Sequence, residues 1–264
     1  MSFVLAVPAA AFYLWAAWRQ WQTFCGKKPA NRSVLLIATM VGALLHLGYI
    51  ASHTFGHEHI NFEVFEVGSL ISWVIVLLLI FSSQRKPVDN LFIGLLPMAS
   101  VILLITAMSN RYVPLTDLSY GLTWHILLSI LAYSILTIAA VQAVLLYLQD
   151  KALKNRQTQG FIQALPPLQL MDKLLFEMLW LGMILLTASY IVGWPYILDL
   201  KGQHLGHKIV FALISWLIFA WLLFGRYRFG WRGAIASRWT LIGTGFMILS
   251  YFGSKIVLEL LGRV

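Results

Sequence analysis

Stretches of about twenty apolar residues recur along almost the whole chain, and nothing constrains its fold more. Twenty residues of helix cover the roughly 30 Å of hydrocarbon in a bilayer. A backbone in lipid must satisfy its own hydrogen bonds, so segments of this length are read as helices. Eight spans are expected, over residues 2–18, 34–53, 66–83, 90–109, 121–148, 175–194, 208–225 and 239–259. A soluble domain keeps roughly half its residues facing water, which a chain 60% hydrophobic and 11% charged does not allow. The expectation is an all-α, polytopic bundle of eight transmembrane helices forming one membrane domain over residues 1–264. No basic leader or small-residue cleavage site accompanies the first span, so it reads as retained. The longest connection runs from Gln149 to about Leu174, with Pro166 and Pro167 just before the sixth span.

The net charge of +9 has a membrane cause and does not point to nucleic acid. Fourteen Lys and Arg follow spans 1, 3, 5 and 7, among them Arg19, Arg85, Lys151 and Arg226. The opposite side holds four, Arg111, Lys201, Lys208 and Arg263, while Lys255 lies within the last span. Cytoplasmic loops carry the excess of basic residues, so both termini are expected outside. Arg226, Arg228 and Arg232 in GRYRFGWRG read as a headgroup anchor, and Asp172, Lys173 and Glu177 as ordinary boundary charges. The one cysteine, Cys25, allows no intrachain disulfide.

On this topology all seven histidines fall on the outer side: His46, His53, His57, His59, His125, His204 and His207. His46 and His53 are seven apart and share a helical face. A polar ring at the depth of His46 needs a partner, which a neighbouring helix or a ligand would supply. His53, His57, His59 and Glu58 form one outer cluster, with Glu63 and Glu66 nearby. Such donors suit a divalent metal such as zinc or copper, or a pH sensor, and equally a solvated loop. His125 follows Trp124, while His204, His207 and Lys208 come after Trp194. Imidazoles from separate helices suit haem iron, and cations suit its propionates, although Trp at a membrane interface needs no further reason.

From about residue 121 to 258 the chain resembles the cytochrome c assembly superfamily, the CcsA/CcmC/HemX-like proteins, and most of all its bacterial inner-membrane YpjD branch. The resemblance is carried by WHILLSILAYSIL (124–136), LPPLQLMDKLLFEMLWLGMILLTASYIVGW (165–194), HKIVFALISW (207–216), GRYRFGWRG (225–233) and GFMILSYFGSK (245–255). Residues 1–120 agree in span number and in carrying His46. The resemblance implies a multi-pass protein of the bacterial inner membrane with periplasmic termini, handling haem at its outer face. His125 matches an axial ligand of the family. The tryptophan-rich motif corresponds to GWPYILDLKGQHLGHK, where Trp194 and Lys208 match. Phe224 stands where the family has a histidine late in the seventh span, and YFGSK lacks the outer histidine that should follow it. Attachment of haem to apocytochrome thiols is therefore not expected.

The function expected is non-covalent binding or presentation of haem in cytochrome c assembly or haem homeostasis. His125 would be one ligand, His46 or His207 the other, and Lys208 and Arg111 the propionate partners. Partners would be the lipid bilayer, haem and other membrane or assembly proteins. Two alternatives stand beside it: divalent-cation or proton transport or sensing through the outer His/Glu cluster, and a regulatory membrane scaffold with an eroded haem site. The chain has no phosphate-binding glycine loop, nucleophile elbow or HExxH motif.

Overall fold

The computed structural model describes residues 2–26, 29, 31–54, 60–109, 112–115, 119–156, 161–197 and 206–253. Among the described residues the chain is all-α apart from one two-residue strand pair, and it divides into two compact units. One comprises residues 1–117 with 158–166, the other residues 118–157 with 167–264.

The first unit holds α1 (Ser2–Phe24), α2 (Arg32–His53), α3 (Val64–Ser83) and α4 (Phe92–Met108). A 3-10 turn, Asp89–Leu91, leads into α4. Ala6, Ala9, Ala10, Tyr13, Ala16 and Ala17 are buried along α1 at the three- and four-residue spacing of one helical face. Five of those six are alanines, so α2 and α4 pack close to the α1 backbone. Opposite Tyr13 stands Gly42, where a Cβ would sit 2.7 Å from the ring carbons Cδ1 and Cε1. The Asn31 side chain caps α2 by accepting from the Val34 N–H, and Glu63 caps α3 by accepting from those of Phe65 and Glu66. Strands β1 (Ile60–Asn61) and β2 (Pro114–Leu115) pair antiparallel, Ile60 opposite Leu115.

The second unit is built from α5 (Tyr120–Lys154), α6 (Leu168–Ile197), α7 (Gly206–Phe229) and α8 (Gly233–Ile248), which runs on into a π-helical segment, Leu249–Gly253. α5 and α6 form the most extensive helix pair. Glycine makes it close: a Cβ at Gly182 would meet Leu136 Cδ2 at 2.6 Å. Side chains also bond to neighbouring helices' carbonyls, Tyr190 Oη to Ala212 at 3.0 Å and Ser215 Oγ to Gly243 at 2.8 Å. The start of the π segment is held on two sides, where Tyr133 Oη donates to the Met247 carbonyl just before it and Ser250 Oγ within it donates to that of Lys208, each at 3.0 Å.

Among the described residues six stretches are long and apolar enough to cross a membrane: α2, α3, α4 with its 3-10 turn, α5, α6 and α7. The first and eighth expected spans fall on α1 and on α8, which are not among these six, and the eighth runs past the last described residue, 253. The helices overrun the apolar segments, α5 to Lys154 and α6 back to Leu168, because a helix tolerates polar turns at its ends where headgroups and water satisfy them.

Candidate functional site

His125 lies in the second turn of α5, half-buried against α6. Its Nδ1 is 2.8 Å from the Ser189 carbonyl oxygen and 3.1 Å from Ser189 Oγ. A carbonyl only accepts, so Nδ1 carries a proton and is the donor here. Ser189 is itself fully buried and tied to Ser129 by a 2.7 Å contact between their hydroxyl oxygens. The ring has room because residue 193 is glycine: a Cβ there would overlap His125 Nδ1. No described partner meets Nε2. A backbone carbonyl fixing one imidazole nitrogen while the other stays open is the arrangement that orients histidines toward metals.

The other candidates described in this unit are Trp124, Trp194 and Lys208. Trp124 precedes His125, exposed and edge-on to Tyr120, and Trp194 follows Gly193 on α6, also exposed. Lys208 is half-buried in the first turn of α7, its carbonyl accepting from Ser250. The backbone of His207 lies in the same turn. The His207 side chain, His204 and Arg111 lie outside the described residues.

His46 belongs to the first unit and is fully buried. Its Nε2 is 2.9 Å from Ser69 Oγ and its Nδ1 3.4 Å from Tyr13 Oη, with the Tyr13 ring edge-on at 6.0 Å. Both nitrogens are thus engaged by α1 and α3. His53 stacks on Tyr49 at 4.5 Å and keeps Nδ1 on Ser52 Oγ at 2.9 Å. Nearby, Glu66 accepts from Thr54 Oγ1 at 2.9 Å and Tyr49 Oη at 3.3 Å. His57, His59 and Glu58 lie outside the described residues. Among the described residues no three His, Cys, Asp or Glu side chains converge as a metal-holding group.

One residue that matters was hidden by its ordinary appearance. Asp172, read as a boundary charge, is buried: Oδ2 pairs with Arg226 Nη1 at 2.9 Å and Oδ1 accepts the Gly233 N–H at 3.0 Å. It thereby clamps α6 to the end of α7 and the start of α8. Arg226 also donates to the Trp231 carbonyl at 3.0 Å and lies 4.3 Å over the Phe176 ring, so this arginine faces protein and not lipid. The four-residue spacing of Asp172 and Phe176 was the only available signal.

Residues 34–261 match the family model described as Cytochrome C assembly protein. The chain is 30% identical over 242 residues to the Inner membrane protein YpjD of Escherichia coli K12, covering 89% of this chain and 90% of that protein. It is 22% identical over 233 residues to Protein HemX of Brevibacillus brevis, covering 86% and 85%. A shorter match, 30% identical over 139 residues, covers 52% of this chain and 51% of an uncharacterized 28.8 kDa protein of Azospirillum brasilense. No solved structure matches.

Proposed function

This chain belongs to the cytochrome c assembly protein family, and from that premise we propose that it binds or presents haem at the outer face of the bacterial inner membrane. It does so in the service of cytochrome c assembly or haem homeostasis. The polypeptide crosses eight times, with both termini periplasmic. The observation that carries the reading is the state of His125: Nδ1–H fixed on the Ser189 carbonyl where Gly193 leaves it room, and Nε2 without a partner among the described residues. The residues fit haem, since a neutral imidazole with a set tautomer is an axial ligand.

His207, from the first turn of α7, is the second ligand, and His204 lies in the loop before it. Lys208 meets a propionate, and Trp124 and Trp194 flank the ring face. Bound haem would supply an iron centre held only by ligands, able to pass to a recipient. Purified protein given haem should show a Soret band, and His125→Ala should abolish it while leaving the helical content unchanged. Wild-type protein with no Soret band, with or without added haem, defeats the proposal.

A second reading, a regulatory scaffold that keeps the fold without haem, has one observation in its favour. His46 is saturated by Tyr13 and Ser69, the behaviour of a core histidine. It requires that cells carrying His125→Ala and His207→Ala together behave as wild type.

A further inference from the structure

The end of the second unit farthest from His125 carries a surface that haem handling does not use. Eight basic side chains on the ends of α5, α6, α7 and α8 gather there against three acidic ones, Asp150, Asp172 and Glu177. Asp150 is committed to Lys154 at 2.7 Å and Asp172 to Arg226. Arg228, Arg232 and Arg238 are exposed, and none forms an ion pair among the described residues.

Rings separate these arginines. Phe229 stacks on Trp231 with centroids 5.9 Å apart, and Trp231 lies parallel to Trp239 at 6.1 Å. Arg238 sits 5.9 Å over the Tyr147 ring, and Tyr227 is 89% exposed. The turn that carries them is firmly built. Gly230 and Gly233 adopt φ of +67° and +53°, which side chains disfavour. Arg226 holds the Trp231 carbonyl, Asp172 holds the Gly233 N–H, and the absence of a Cβ at Gly225 admits the Trp231 ring.

Aromatic rings of this kind sit where hydrocarbon meets headgroups, which sets the neighbouring guanidinium groups at the depth of lipid phosphate. An arginine fork matches phosphate oxygens two at a time. A free phosphate would satisfy the charge but leave the exposed rings uncovered. A zwitterionic lipid would cover the rings but leave a cationic excess. We propose that the α7–α8 turn is a binding site for an anionic phospholipid, its phosphate among Arg228, Arg232 and Arg238 and its acyl chains along Phe229 and the Trp231–Trp239 stack.

The full chain, purified in mild detergent, should retain a phospholipid-mass adduct by native mass spectrometry. Arg228→Gln/Arg232→Gln/Arg238→Gln, which leaves the Asp172–Arg226 pair intact, should weaken the adduct by about a hundredfold. Phosphatidylglycerol vesicles should raise the wild-type melting temperature above that in phosphatidylcholine, and the variant should lose that difference. Inorganic phosphate alone should leave the melting temperature unchanged. Equal adducts on wild type and variant overturn the proposal, as do equal melting temperatures in the two vesicles or full stabilisation by inorganic phosphate. Should the triple variant aggregate, Arg232→Gln alone carries the same comparison.

Discussion

At residue 193 the absence of one methyl group decides whether His125 keeps its place. Gly193→Ala drives a Cβ into the imidazole, and overpacking of this kind costs about 1–3 kcal/mol. The expected outcome is a lower melting temperature together with a weakened or shifted Soret band, because the ring must turn away from the Ser189 carbonyl. Ser189→Ala removes the hydroxyl but keeps that carbonyl, so it should cost only about 1 kcal/mol and preserve the band. A Gly193→Ala protein with wild-type melting and spectrum would show that this close approach is unimportant. His46 makes the opposite case. His46→Ala opens a cavity and strands the Ser69 and Tyr13 hydroxyls, so stability should fall by roughly 2–4 kcal/mol. The haem bound per folded molecule should not change, which a titration of the refolded fraction checks.

At the scale of helices, Asp172 joins three elements through two oxygens. Asp172→Ala leaves the Arg226 charge and the Gly233 N–H without their acceptor. Breaking a fully buried pair costs about 3–5 kcal/mol; Arg226 is 31% exposed, so water screens part of the loss and about 2–3 kcal/mol is expected. Thermal melting in detergent measures it, and Asp172→Asn, which keeps one acceptor oxygen for Gly233, should recover part. The elements themselves were readable because lipid demands long apolar runs, and α2, expected at 34–53, spans Arg32–His53. The polar first turns of α6 were not, since Asp172, Lys173 and Glu177 interrupt the run that marks a span. His125 was visible as a candidate, but not what holds it. Its anchor is a backbone carbonyl 64 positions away, and a carbonyl leaves no mark in the residue type. The saturation of His46 was equally hidden, because the serine and tyrosine that bind it belong to other helices.

For the whole molecule the outer-face reading depends on orientation, and the chain carries its own reporter of it. Cys25 is the single thiol, half-buried between α1 and α2 on the side where the basic residues follow span 1. Positive charge faces the cytoplasm because basic loops resist translocation, and on the expected eight-span topology fourteen basic residues stand against four. A membrane-impermeant maleimide should therefore label Cys25 in inverted inner-membrane vesicles and leave it unlabelled in intact spheroplasts. A Cys25→Ser/His59→Cys protein should show the reverse pattern, its thiol now between α2 and α3. The two experiments are coupled by one span: α2 must cross the membrane if the patterns are opposite, and its length and apolar character allow it. Labelling of Cys25 from the periplasm would put His125, at the start of α5, and Lys208, at the start of α7, on the cytoplasmic side. Any haem held there would then meet cytoplasmic and not periplasmic recipients, and the arginine-rich α7–α8 turn would face the outer leaflet.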